Sequence, residues 1–477
     1  MYDVIIIGCG VTGAAVAYTL AGYDLKVGII ERFNDVACGT TKANSAIMHA
    51  GYDPAPGKVM TPLNLRGIRL GKQIAEKLDV EYRPLQSLVI AFNEHDMETV
   101  RTLYERGKAN GVQVQILDHD EAMKAEPSLN PEVIGALWTD DSAIINPWEY
   151  ATAMAEVAVV NGADLFLENC VEKIIKNPNS LTVVTDKGKY EARYVVNAAG
   201  CHAADIMKMV GDDRLTQTNY QGQYFVLDKA EGAKVNSVIF GCPDENGFKG
   251  ILVSPTVHGN LIVGPNSDPV ATGDTLGTDA VTLNRLKANG LRYVPSINYR
   301  NVIRQYAGVR PTTNVKDFVI DVSPACGRMV NLASLASPGL SAAAAIGEKA
   351  AELLAGAGLE LRTNPEFKDE RPPVVRMCNL DAAGRKAAIE RNPLYGRIIC
   401  RCETVTEGEI VDAIHRPIPP RSIDGVKRRC RAGMGRCQGG FCSPRVHEIL
   451  SRELGIRMED ITLGENDSFI ITGKTKE

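Results

Sequence analysis

The chain of 477 residues carries 44% apolar and 23% charged side chains, enough to bury a sizeable core and to divide into two or more domains. A net charge of −5 and a pI near 5.9 exclude nucleic acid as the main partner, because phosphate binding needs a basic face. No export signal opens the chain and no uninterrupted apolar run reaches about 18 residues, so neither a secreted protein nor a transmembrane helix is expected.

The first element is read from DVIIIGCGVTGAAVAYTL: a short β-branched strand, a glycine turn and a helix. Gly8, Gly10 and Gly13 fit the pattern G-x-G-x-x-G, which brings backbone close to a pyrophosphate at a helix N-terminus. A second strand, KVGIIE, ends in Glu31, an acid placed to accept hydrogen bonds from ribose hydroxyls. These glycines do not by themselves choose between NAD and FAD. Two later segments favour the flavin. YVVNAAG (Tyr194 to Gly200) is a buried strand ending in small residues. MVNLASLASPGLSAAAAIGEKAAELL (Met329 to Leu354) is a strand, a loop and a small-residue helix, whose N-terminus can stabilise negative charge on a flat ring.

With TKANSAIMHAGYDP (Thr41 to Pro54), GILVSPTVHGNLIVGP (Gly250 to Pro265), YAGVRP (Tyr306 to Pro311) and SPGLS (Ser337 to Ser341), residues 1 to 355 resemble the FAD-dependent oxidoreductases of the D-amino-acid oxidase superfamily. Within it the likeness is nearest to glycerol-3-phosphate dehydrogenases and oxidases and to 2-hydroxyglutarate oxidases. The resemblance implies a Rossmann-type α/β FAD-binding domain from 1–85, 145–215 and 325–360. It also implies an α+β substrate domain with a mixed or antiparallel sheet, from 86–144 and 216–324. The run of short β-rich segments in 220–265 agrees independently.

Oxidising an alcohol on a flavin needs a proton acceptor for the hydroxyl, and His49 is the best candidate. Arg310 matches the family's substrate-anchoring arginine, its planar fork suited to carboxylate or phosphate. Lys249 stands where glycerophosphate-oxidising relatives carry an active-site lysine, and Ser337 completes the expected substrate set. The resemblance extends the cofactor set to Thr41, Ser45, Val171, Ala199, Gly200, Gly308, Ser337, Gly339 and Leu340. One departure is NYQGQYFVL (Asn219 to Leu227), with glutamines where related enzymes often carry charge. Cys38 and His49 are the nearby candidates for covalent attachment, but a non-covalent flavin is expected.

Residues 361–395 read as a charged, proline-bearing linker with a short helical piece, followed by 396–455 and a tail, 456–477. Of twelve cysteines, eight are scattered singly. The other four form C-x-C (Cys400, Cys402) and, thirty-four residues on, C-x4-C (Cys437, Cys442). Zinc usually takes C-x2-C knuckles and disulfides suit an oxidising compartment, so a [2Fe-2S] cluster is the reading that remains. CRCETVTEGEI and GMGRCQGGFC together resemble the BFD-type cluster domain, which implies a small helical iron–sulfur unit. From Arg391 to Arg445 eleven Lys/Arg face five Asp/Glu. Arg428, Arg429, Arg431 and Arg436 are expected to offset the cluster's negative charge, or to form a docking face for an acidic partner.

The expected function is an FAD-dependent dehydrogenase for a small anionic alcohol, foremost sn-glycerol 3-phosphate, with electrons leaving through the cluster to an acceptor protein or further subunits of a hetero-oligomeric complex. A 2-hydroxy acid or an amino or imino acid is the alternative substrate. An electron-relay subunit, or a regulatory tail, is the alternative role. The expected location is cytoplasmic, with peripheral membrane attachment through partners left open.

Overall fold

The structure is a computed structural model that describes residues 1–242, 250–465 and 467–473. Its first layer is an eight-stranded sheet. The parallel part runs in the order Asp164–Phe166, Val27–Ile30, Tyr2–Ile7, Lys189–Asn197 and Met329–Ala333. Strand Tyr2–Ile7 is buried on both faces: Val4 and Ile6 enter one apolar core, Ile5 and Ile7 the opposite one. That is why its sequence is a continuous β-branched run rather than an alternating one. Three helices cover one face: Val11–Ala21, Pro147–Val160 and the alanine-rich Gly339–Gly356. This is the doubly wound, Rossmann-type arrangement.

The second sheet has nine strands and is mixed. Ser87–Ala91 pairs in parallel with Val238–Gly241 and antiparallel with Gly135–Thr139. The long strands Gln217–Leu227 and Val302–Thr313 form an antiparallel pair at its other end. They bring YAGVRP back toward the first sheet.

Segment 361–395, expected as a linker, is fastened along the first domain. Asp24 donates its amide to Arg362 O at 2.8 Å. Further on, the buried Arg371 donates to Glu149 and Glu156 of helix Pro147–Val160, and Arg376 donates to the same Glu149. The expected short helix is Ala382–Arg391.

The C-terminal unit is small and helical: Glu407–Ile414, Ile423–Cys430 and Ser443–Leu454 pack around Ile410, Val426, Val446 and Leu450. Its first helix starts with a capping box in which Thr406 and Glu409 satisfy each other's backbone amides. Among the described residues, no helix is long and apolar enough to cross a membrane.

Candidate functional site

The glycine turn sits where a dinucleotide's phosphates need backbone. Gly8 has φ +96°, a conformation L side chains rarely adopt, and a Cβ there would lie 2.6 Å from Ala198 O. At Gly13 a Cβ would lie 2.0 Å from Gly8 O, so the helix can approach the strand only through glycine. Helix Val11–Ala21 begins at Gly10 with no side-chain cap and no acid in its first turn, which leaves its positive end for an anion. Thr41 reaches the same turn, its Oγ1 accepting from Val11 N at 2.9 Å.

Glu31 ends the second strand and is buried. Burial raises its carboxyl above the ordinary range, and the amides of Cys9 and Phe33, donating to its two oxygens, work against that. Asn169 N donates to Glu31 O at 2.9 Å, which sets the start of strand Val171–Lys176, and with it Val171, beside this acid. Ala199 and Gly200 form the turn after strand Lys189–Asn197, next to Gly8. These residues fit the adenosine and pyrophosphate end of FAD.

The other end of the site gathers around His49. Its backbone N donates to Ser341 Oγ at 2.8 Å, and Ser337 Oγ stands 3.3 Å from its Nε2. Both serines flank the start of helix Gly339–Gly356, which has no side-chain cap and no acid in its first turn. Gly339 and Leu340 are its first two residues. Phe240 lies against the imidazole, ring centroids 5.8 Å apart.

Gly308 lets the second sheet press on the same segment: a Cβ there would lie 1.9 Å from Ala43 O. Gly308→Ala is therefore expected to push residues 43–45 away and to cost about 1–3 kcal/mol of stability. The checks are a lowered Tm and a lowered FAD content in the purified variant.

Ser45 is joined to Tyr224 across 2.9 Å, and Tyr224 stacks on Tyr306 with centroids 4.6 Å apart. Tyr306 in turn donates to Asn44 O at 2.8 Å. Arg310 stands opposite Tyr220 on the strand pair, and its Nη1 donates to Asn266 O at 3.1 Å. It is near enough to Tyr224 that its charge opposes the burial that raises that phenol. The structure thus brings His49, Ser337 and Ser341 together directly, and links Ser45 to Arg310 through Tyr224.

Lys249 lies outside the described residues. Ser341, Tyr224 and Tyr306 were not among the expected site residues, although Ser341 closes the SPGLS motif that could have flagged it. The glutamines of NYQGQYFVL serve packing. Gln223 donates to Asp279 and to Gln221, and Gln221 donates to Thr275 O and Gly277 O, so they fasten the 275–279 loop.

The four paired cysteines meet in the C-terminal unit. Cys402 Sγ and Cys437 Sγ are 3.6 Å apart, and Cys400 is hydrogen-bonded to Cys442. The Cys442 hydrogen bond draws the Cys400 thiol down to about 6, helped by the amides of Gly433 and Glu403 and opposed by burial. The amides of Phe441 and Gly439 likewise donate to Cys437 sulfur. Among the described residues no three His, Cys, Asp or Glu side chains converge as a single-ion site. Two thiol pairs instead suit a two-iron centre, with two thiolates for each iron. Gly435 admits this closeness, since a Cβ there would lie 2.3 Å from Cys402 Cβ.

The four basic residues of the tail each have an acidic partner in the structure. Arg428 and Arg429 both donate to the buried Asp35, at 2.9 Å and at 2.7 and 2.8 Å. Arg431 donates to Glu403 at 2.9 Å, and Arg436 to Asp228 at 3.1 Å. Two of the four therefore join the cluster unit to the loop that follows Glu31. Charge counting could not show this, because their acidic partner lies almost four hundred residues away. A cavity of about 240 Å³, lined mostly by charged and polar residues, lies where the strap, the cluster unit, the first domain and residues 229 and 257–258 of the second meet; neither His49 nor Arg310 lines it.

Known proteins resemble this chain along both of its parts. Residues 3–353 match the family model described as FAD dependent oxidoreductase (DAO), and residues 398–452 match a BFD-like [2Fe-2S] binding domain. A glycerol 3-phosphate dehydrogenase of Caloramator mitchellensis is 42% identical over 100% of this chain and 99% of its own length. A glycerol 3-phosphate oxidase of Mycoplasma genitalium is 32% identical over 74% of this chain and 94% of its own. The FAD-bound, dithionite-reduced L-α-glycerophosphate oxidase of Mycoplasma pneumoniae superposes with a TM-score of 0.74 at 32% identity, covering 78% of this chain and 99% of that one. The chain belongs to the FAD-dependent oxidoreductase (DAO) family and carries, beyond that fold, a BFD-like [2Fe-2S] binding domain.

Proposed function

We propose that this protein oxidises sn-glycerol 3-phosphate to dihydroxyacetone phosphate as a dehydrogenase, with electrons leaving through the [2Fe-2S] centre to an external acceptor. The observation that carries the reading is the full-length likeness to a glycerol 3-phosphate dehydrogenase, tail included. The oxidase relative, by contrast, is matched over nearly its whole length by only 74% of this chain. Bound FAD supplies the hydride acceptor, and the cluster a carrier of single electrons.

The chain's own residues do the rest. Nε2 of His49 takes the hydroxyl proton, with Ser337 Oγ close enough to orient either the imidazole or the hydroxyl. Ser341 fixes the backbone of His49 on the first turn of helix Gly339–Gly356. Arg310 holds the phosphate by charge-assisted hydrogen bonds, and Lys249 is assigned to the same anion. Gly8, Gly10, Gly13, Glu31, Thr41 and Val171 are assigned to the adenosine and pyrophosphate, Ser45, Gly308, Gly339 and Leu340 to the flavin end.

Arg310→Lys keeps the charge but loses the fork. It is expected to raise KM for glycerol 3-phosphate by roughly 10- to 100-fold with a smaller change in kcat. Steady-state kinetics with an artificial acceptor measure this. The substrate itself is tested by anaerobic flavin bleaching: glycerol 3-phosphate should bleach the flavin within the turnover time, and 2-hydroxyglutarate should not. The reverse order of rates overturns the assignment.

A further inference from the structure

The cluster unit leaves one edge of its cysteine set at the surface. Cys400 and Cys442 are buried, whereas Cys402 is exposed. Phe441, next to Cys442, is 84% exposed, the most exposed large apolar side chain among the described residues. Its backbone amide faces Cys437 sulfur, so the residue is held next to the cysteines while its ring points to solvent.

Arginines adjoin three of the four cysteines in the chain, and a fourth arginine reaches the same loop. Arg401 adjoins Cys402, Arg436 adjoins Cys437, and Arg445 follows Cys442 in the first turn of helix Ser443–Leu454. Arg304, exposed on strand Val302–Thr313, reaches across to donate to Gln438 at 2.9 Å. Arg436 is answered by Asp228, and Arg445 by Glu448. Arg304 and Arg401 have no ion pair among the described residues. The rim stays positive although the whole chain carries −5.

We propose that this rim, centred on Phe441, is the docking face for an acidic one-electron carrier protein. The proposal rests on the reading that electrons leave through the cluster. A single exposed aromatic anchor inside a ring of like charges suits a small, transient electron-transfer interface, where complementary charge speeds encounter. Oxidising one alcohol releases two electrons and two protons. Each docked carrier accepts one electron, so two carriers are reduced per alcohol and the two protons pass to solvent. An anionic membrane would also be drawn to arginines, but one phenyl ring is a slight anchor for a bilayer, and the patch surrounds the exposed Cys402.

Binding to the oxidised holoprotein tests this apart from turnover. The probes are a ferredoxin chosen for an acidic surface, a cytochrome c with a basic surface, and phosphatidylserine vesicles. The ferredoxin is expected to bind, and to lose roughly tenfold in affinity between about 50 and about 200 mM salt. Phe441→Ala, and separately the pair Arg304→Gln and Arg401→Gln, should each weaken it about tenfold. Cluster absorbance and flavin bleaching by glycerol 3-phosphate should not change in either variant. Ferredoxin binding that ignores both variants, equal binding of cytochrome c, or variants that release vesicles but not ferredoxin would overturn the docking face. A cluster that glycerol 3-phosphate never reduces overturns the electron path instead, and leaves the binding result readable.

Discussion

Replacing His49 by alanine is expected to lower kcat by about 10²- to 10⁴-fold, the usual contribution of a positioned general base. Three features make the effect large. The imidazole is anchored through its backbone to Ser341, its Nε2 lies 3.3 Å from Ser337 Oγ, and the start of helix Gly339–Gly356 is beside it. FAD content should stay near that of the parent protein, since the dinucleotide is assigned to the glycine turn and Glu31 rather than to the imidazole. Ser337→Ala, which removes only the orienting hydroxyl, should cost about tenfold. The readout is the rate of anaerobic flavin bleaching at saturating glycerol 3-phosphate. A relay subunit that binds no substrate would show unchanged complex activity in the His49 variant, and the proposal would then fail.

The second large effect is on architecture. Asp35→Ala is expected to destabilise the protein by about 3–5 kcal/mol, because it leaves the Arg428 and Arg429 guanidiniums buried without their carboxylate. Both arginine side chains are less than 10% exposed and Asp35 is 1% exposed, so water cannot replace the lost partner. Burial alone would raise the Asp35 carboxyl, but the Arg429 and Arg428 charges overcome that and hold it at about 2. A depressed carboxyl contributes its stability above the unfolded value, near 4, and loses it as the pH falls from there through about 2. The difference in Tm between Asp35→Ala and the parent should therefore be constant at neutral pH and shrink in acid. Adding Arg428→Met and Arg429→Leu to Asp35→Ala should recover part of the loss, since the unpaired charges are then gone. An equal Tm for parent and Asp35→Ala at pH 7 would show that the clamp carries no stability.

What could be read from sequence was local. Gly8, Gly10, Gly13 and Glu31 lie within one βαβ unit, so their spacing alone prescribes a turn, a helix start and an acid at a strand end. The cysteine pairs are equally local, and their chemistry is restrictive. Ser341 and the Tyr224–Tyr306 stack are not legible in the sequence, because they become neighbours of His49 and Ser45 only when separate strands and a distant helix close on one another. The Asp35 clamp is the extreme case. Its arginines look like any basic run, and nothing near them in the chain names the carboxylate 393 residues away. Segment 361–395 misled in the same way: prolines and charges suggest a linker, while the buried pairs of Arg371 with Glu149 and Glu156 make it a strap.

In the proposed reaction one substrate, glycerol 3-phosphate, fills both redox centres of one chain. Anaerobic mixing of the purified holoprotein with glycerol 3-phosphate, followed by absorbance and by electron paramagnetic resonance of frozen samples, tests it most directly. The predicted result is bleaching of the flavin together with the paramagnetic signal of a reduced [2Fe-2S] centre, which is absent when any one of Cys400, Cys402, Cys437 or Cys442 is replaced by serine. A flavin that bleaches while the cluster stays oxidised, with oxygen alone restoring the flavin, would contradict it.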